Sequence, residues 1–324
     1  MVSRRRFSLG LAAGTAALSF PGIVRPQTAK PLKLILSVPP GAALDASARL
    51  LAERLKTSLD RQVVVDYKPG GAGLAAGDFI RSGEADGTNL LYSPTGFYSY
   101  NPFLFSKLPY DPDKELATVC EGVNIPLATT VSAASGIASF KDWVEAIRRD
   151  PKQRFVGSPS ASGVGVFLMH LMAKTFGVEL QLVAYKGGRP LLTDLLGGQV
   201  PVSASVMADY LELHRSGRLR ILAQSSPGRS ALAPGIPSYT ELGYPDFVGK
   251  TSFGFFVKAG TPRPLVDQYA KAITEALRIP DTARRLNEIG LEVAGGTPEE
   301  FQKVLLDDRA RWAPVARAAG IKLD

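Results

Sequence analysis

The sequence predicts an α/β fold in two units, and three patterns carry that expectation. Short β-branched or aliphatic runs alternate with amphipathic stretches along most of residues 32–223, which is the order of parallel α/β construction. Several of these runs stop on glycine- or proline-bearing loops that open helices. The second half restarts the same grammar after a change of composition at Ser132-Ala133-Ala134-Ser135-Gly136. A chain of 324 residues is long enough for two ordinary domains.

Each element follows in turn. Residues 32–38 read as a strand that Pro39-Pro40-Gly41 ends. Over 46–59 the apolar Ala48, Leu51, Leu55 and Leu59 recur at helical spacing, with Arg49, Glu53, Arg54 and Lys56 on the other side. Asp45 stands where an N-cap or first-turn acid faces the helix dipole. Residues 63–67 form a second strand, broken by 68–73 before a helix that begins near Leu74. Residues 89–93 give a third strand with Pro94-Thr95-Gly96 behind it, where Ser93 and Thr95 offer hydroxyls. The proline-bearing stretch 101–112 reads as a surface connection with one short helix, and 117–131 as strands broken at Pro126. In the second unit a helix over 140–149 leads to a strand at 154–157, the loop 158–163 and an apolar helix over 164–176. Strands at 181–184, 200–206 and 219–223 follow, with helices between them. The proline- and glycine-rich 227–245 carries the return, 252–258 is a strand, and helices at 262–277, 281–289 and 298–319 close the chain. The expected organisation is an export leader over 1–29, a first domain over 30–131 completed by 251–324, and a second domain over 132–250.

Composition excludes several classes of function. Hydrophobic residues make up 45% and charged residues 21%, an ordinary globular balance. The net charge of +8 does not indicate nucleic acid: Arg4, Arg5, Arg6 and Arg25 lie in the acid-free leader, and the other 30–324 residues keep +4 without a dense basic run. Cys120 is the single cysteine, so neither an intramolecular disulfide nor a cysteine zinc cluster can form. Ser3-Arg4-Arg5-Arg6-Phe7 before the apolar 9–20 has the layout of an export signal, too short to span a membrane. Its order resembles a twin-arginine signal, the alternative being a general secretory signal with three arginines. Either route places the mature protein in the periplasm or on the cell surface.

Catalytic chemistry finds little support. His170 lies among Phe167, Leu168, Met169, Leu171 and Met172 and reads as a packed helix residue. His214 sits at a polar helix end beside Glu212 and Arg215. Neither a Gly-x-Ser-x-Gly elbow nor a His-Glu-x-x-His or Asp-rich metal loop occurs. The run 71–77 approaches a dinucleotide fingerprint, but its third glycine is one residue late and no ribose-binding acid follows convincingly about 20 residues on. Binding fits better. The loops 39–45, 68–74, 93–95, 158–163 and 185–188 all follow strands and mostly precede helices. Glycine backbone and helix N-termini at strand carboxyl ends suit an anion such as a carboxylate. Each glycine alone is explained as well by a tight turn or helix cap; the set of five loops favours one binding cleft.

At these residues the chain resembles a known family. Pro39-Pro40-Gly41, Asp45, Pro69-Gly70 with Gly73, Ala85-Asp86-Gly87 and Asn101-Pro102 match it in order. So do Leu108-Pro109-Tyr110-Asp111-Pro112, Tyr185-Lys186-Gly187, the run 191–200, Gly260-Thr261-Pro262 and Thr297-Pro298-Glu299-Glu300-Phe301. The chain is similar to the Bug-type extracytoplasmic solute receptors of tripartite tricarboxylate transporters. That resemblance implies a type II periplasmic-binding-protein fold, with two α/β domains, two crossings and a cleft for a small organic carboxylate. It implies a receptor, not an enzyme, that hands its ligand to the membrane components of a tripartite transporter. No cofactor, metal or nucleic acid is expected, and the protein is expected to be a monomer. The implied site takes Pro40, Gly41, Ala42, Ala43, Leu44 and Asp45 from the first loop, and Gly70, Gly71, Ala72, Gly73 and Leu74 from the second. It adds Ser93, Thr95, Ser158, Ser160, Ser162, Gly163, Tyr185 and Ser205.

Departures from the family pattern fall on side chains. Gly41-Ala42-Ala43-Leu44-Asp45 replaces Gly-Gly-x-x-Asp, and Leu74 replaces a common asparagine. Gly165 or Val166 stands where histidine is frequent, and Ser205 near an aspartate of amino-acid-binding members. Read as cleft walls, Leu44, Leu74 and Val166 favour a carboxylate without an amino group. A sensory receptor acting on a membrane kinase and an exported α/β enzyme are the alternative functions.

Overall fold

The computed structural model describes residues 30–323; the leader, and with it the expected export signal, lies outside them. Ten strands form one curled, mixed sheet. They are β1 (Leu32–Leu36), β2 (Val63–Tyr67), β3 (Asn89–Pro94), β4 (Leu116–Ser132) and β5 (Phe155–Ser158). The rest are β6 (Gln181–Ala184), β7 (Val202–Val206), β8 (Leu219–Gln224), β9 (Lys250–Lys258) and β10 (Glu292–Gly295). Parallel pairing holds for β2–β1–β3 and for β6–β5–β7. β9 and β4 run antiparallel to all their neighbours, so the expected parallel sheet is mixed.

β4 organises the molecule. Its first part, to Pro126, pairs with β9 and β10, and from Leu127 it pairs with β7 and β8. It was expected to break at Pro126, yet it runs unbroken for 17 residues. The reason is positional: β10 reaches only Asn124, β8 pairs only from Ala128 onward, and Pro126 faces Lys250, the first residue of β9. A missing N–H costs little where ladders end. The chain returns between Ser225 and Lys250, and the two passages are tied together. Leu127 N–H donates to Ser225 Oγ at 2.8 Å, Ser225 N–H to the Leu127 carbonyl at 3.0 Å, and Gly249 N–H to the Ser225 carbonyl at 3.0 Å.

Apolar burial follows the same division. One cluster packs Leu34, Leu36, Tyr92 and Phe255 against helices Ala43–Ser58 and Arg263–Arg278. Another packs Trp143, Phe167, Met169 and Tyr239 around helices Phe140–Arg149 and Val164–Phe176. The expected helix at 140–149 forms with Ser139 Oγ accepting from Asp142 N–H at 3.1 Å, an N-cap bond. The last helix, Pro298–Ala318, starts on a capping box between Thr297 and Glu300. It buries Phe301 and Leu305 beside Phe256 and Tyr98, then Trp312 and Ala316 in the cluster of Phe167. Residues 101–112 hold the expected short helix, Asn101–Leu104, but are only partly at the surface: Asn101, Leu104, Tyr110 and Pro112 are buried, while Ser106, Lys107 and Pro109 are exposed. β10 has no counterpart in the sequence reading.

Candidate functional site

The carboxyl ends of β1 and β3 lie side by side and leave two buried hydroxyls, Ser37 and Ser93, 2.7 Å apart. A buried hydroxyl needs a partner, and here each serves the other. Above them three loops and two short helices enclose a cavity of about 280 Å³.

The first loop is held from below. Gly41, at φ 90°, donates its N–H to Asp45 Oδ2 at 2.9 Å, while Asp45 Oδ1 accepts from Tyr67 OH at 2.7 Å and Arg49 Nε at 2.9 Å. Burial opposes ionisation of Asp45, but these donors outweigh it and hold the carboxyl below its ordinary value. Both its oxygens are therefore committed within the protein, and it acts as the brace of the loop. Pro40, Gly41 and Ala43 are exposed, Ala42 is half-buried, and none of the four lines the cavity.

Among the described residues, the second loop is the longest run of left-handed backbone. Gly70, Gly71, Ala72 and Gly73 have φ of 126°, 57°, 52° and 90° in succession. Glycine adopts these values freely, whereas Ala72 does so at a cost. Asn101 Nδ2 anchors that residue by donating to its carbonyl at 3.1 Å. Helix Leu74–Ser82 starts directly afterwards; Gly73 N–H donates to the Gly70 carbonyl at 3.1 Å and Leu74 N–H to the Gly71 carbonyl, so the loop closes on itself beside a helix N-terminus. Gly70, Ala72 and Gly73 line the cavity.

From the other half of the sheet, the loop after β5 brings Ser162 and Gly163 to the same cavity, at the start of helix Val164–Phe176. Ser160 Oγ donates to the Ser162 carbonyl at 2.6 Å and shapes this turn. Ser158 is buried; its Oγ accepts from Ser160 N–H at 3.5 Å and its carbonyl from Tyr185 N–H at 2.8 Å. The loop at Tyr185 is thereby strapped to its neighbour, with Gly187 N–H donating to the Pro159 carbonyl at 2.9 Å. The Tyr185 hydroxyl donates to Asp194 at 2.9 Å and does not face the cavity. Thr95 is buried, and its N–H donates to the Ser252 carbonyl at 2.9 Å.

Several side chains expected as cleft walls lie elsewhere. Leu44 is 1% exposed in the core cluster of Leu34 and Leu36. Leu74 packs on the cluster of Ile35 and Phe97, and Gly71 lies against it. Val166 is buried, and Ser205 sits in the β4–β7 ladder opposite Ala128. Gly165 is a packing residue: a Cβ there would stand 2.6 Å from the Ala204 carbonyl oxygen. Side chains at a helix start can turn to either face, and the core took these.

The walls come instead from residues the sequence reading did not assign to the site: Ser37, Val38, Pro94, Gly96, Phe97, Tyr100, Asn101, Leu104 and Leu323. Asn101-Pro102 was a motif without a role; Leu323 arrives from the far end of the chain, where its N–H donates to the Leu104 carbonyl at 2.9 Å. Among the described residues no group of three potential metal ligands occurs, and no helix is long and apolar enough to cross a membrane.

Comparison with known proteins agrees with this geometry. BugT of Bordetella pertussis is 30% identical over 316 residues, 97% of each chain. A UPF0065 protein of Bordetella bronchiseptica is 31% identical over 317 residues, 97% of this chain and 93% of the relative. Among solved structures, R. palustris Rpa4515 with adipate superposes with a TM-score of 0.80 at 27% identity, covering 91% of this chain and 99% of that one. The periplasmic binding protein BugD superposes with a TM-score of 0.74 at 25% identity, covering 90% and 98%. The fold is that of these binding proteins. Residues 47–321 match the tripartite tricarboxylate transporter family receptor profile, and the chain belongs to that receptor family.

Proposed function

We propose that this protein is an exported receptor that closes around a small organic carboxylate and delivers it to the membrane components of a tripartite transporter. The observation that carries this is the convergence, in one cavity, of the left-handed loop 70–73 and the turn at Gly163, each opening a helix and each on a different half of the sheet. Two helix N-termini facing one space favour an anion. Adipate in the Rpa4515 relative supports the same class of ligand.

In this reading the protein is a non-enzymatic, monomeric periplasmic protein exported by the twin-arginine route. Its two domains are the parts of the sheet on either side of the 126–127 partner change and the 225–249 return. The expected ligand-contacting groups are the backbone of Gly70 to Gly73 and of Ser162 and Gly163, with the more exposed Gly41 to Ala43 as the outer lip. Thermal unfolding of the mature chain with a panel of carboxylates tests it. A ligand at ~100 times its dissociation constant adds ~2.7 kcal/mol. A panel in which no carboxylate at millimolar concentration moves the midpoint removes the reading.

A further inference from the structure

The cavity is chemically lopsided. Part of its lining is glycine backbone and helix starts; the rest is the apolar surface of Phe97, Tyr100, Leu104 and Leu323. No charged side chain occurs among the described residues that line it. Besides Ser162, which sits at the Gly163 turn, its polar side chains are engaged within the protein. Ser37 and Ser93 hydrogen-bond to each other, Asn101 Nδ2 donates to the Ala72 carbonyl, and the Tyr100 hydroxyl donates to Asp308 Oδ2 at 3.4 Å. The C-terminal segment contributes to the apolar lining, held there by the bond from Leu323 N–H to the Leu104 carbonyl.

We propose that the ligand is a monocarboxylate with an apolar aliphatic or aromatic body, its anionic end on the 70–73 loop and the Gly163 turn, its body against Phe97, Tyr100, Leu104 and Leu323. This rests on the receptor reading above and narrows its substrate class. A second carboxylate at the far end would lose its water and meet no cation, a costly burial. A methylene there leaves water for an apolar wall, and each one buried tightens binding about fourfold. At about 280 Å³ the space lies at the small end of ligand cavities, which suits a short chain or a single ring. Leu323 becomes a specificity-determining residue contributed by the tail.

Isothermal titration of the mature full-length chain with butyrate, hexanoate, benzoate, adipate and citrate tests the proposal. Hexanoate is expected to bind about fifteenfold more tightly than butyrate. Hexanoate or benzoate is expected to exceed adipate and citrate by about tenfold or more. Tighter binding of adipate or citrate overturns the proposal while leaving the receptor reading standing; binding of no carboxylate overturns both. Leu323→Arg supplies the missing cation on a half-exposed tail residue. It is expected to raise adipate relative to hexanoate by about tenfold, with the unliganded melting temperature confirming the fold. An unchanged ratio in a folded variant places the far end of the ligand elsewhere, and the wild-type series decides by itself if the variant does not fold.

Discussion

Replacing Asp308 by Asn should make the protein more stable at neutral pH. Asp308 lies in the middle of helix Pro298–Ala318, half-buried, with Tyr100 OH donating to it at 3.4 Å. Burial pushes its carboxyl from 3.8 up to about 6, and Glu121 adds to the rise, while Lys250, Tyr100 and Arg311 pull the other way. A raised carboxyl favours the neutral form in the folded state. Its ionisation therefore takes stability away as pH climbs from 3.8 through about 6, and the loss is complete above that. Roughly two units at about 1.36 kcal/mol each set a ceiling near 3 kcal/mol, which partial exposure reduces to about 1–2 kcal/mol. Asparagine mimics the neutral acid at every pH. Asp308→Asn should raise the melting temperature by about 2–6 °C at pH 7.5 and leave it nearly unchanged at pH 4. Equal gains at both pH values would show that ionisation of Asp308 is not the cause, and a loss at pH 7.5 that attraction to Lys250 outweighs burial; either result refutes the argument.

Asp45 carries the opposite sign: its lowered carboxyl contributes stability that is present above 3.8 and lost as pH falls below it, so Asp45→Asn should cost about 1–3 kcal/mol at pH 7 and much less near pH 3 in acid-unfolding curves. Gly70→Ala should weaken carboxylate binding in calorimetry through backbone strain of about 1–3 kcal/mol, because a Cβ there meets nothing within 4 Å while φ is 126°. Gly73→Val should also lower the melting temperature of the unliganded protein, since its Cβ would stand 2.8 Å from Phe97 Cβ; an undisturbed melt would contradict that packing. Arg4→Lys together with Arg5→Lys should retain precursor in the cytoplasm, read by fractionation, and normal periplasmic yield would exclude the twin-arginine route.

The legible parts of this molecule were those written in local pattern. The glycine loops after β1, β2 and β5 and the helices at 140–149 and 298–319 follow from turn residues, caps and a 3.6-residue period. Prolines misled at two places for one reason. Pro126 reads as a break and the prolines of 101–112 as surface, while their tertiary setting supplies a ladder end in one case and buries Tyr110 and Pro112 in the other. β10 is four half-buried residues, too short for a periodic signal. The backbone half of the candidate cavity was visible because glycine advertises backbone. Its apolar half was not, because Leu323 joins Phe97 and Leu104 from more than 200 residues away in sequence, and nothing in a helix start says whether Leu44 turns to core or cleft.

The last helix is 21 residues long, so it is a rod of about 30 Å that does not stretch. It is seated at one end by Phe301 and Leu305 and at the other by Trp312 and Ala316, in clusters that belong to opposite halves of the sheet. Any widening of the space between those halves must drag one of these seats across its socket, or bend the rod at Pro314, where a backbone hydrogen bond is missing. In the proposed receptor the gape of the mouth is thus set by a tie-beam on the flank as much as by the tied strands at Leu127 and Ser225, and loosening Trp312 is expected to change how far it opens before it changes what it holds.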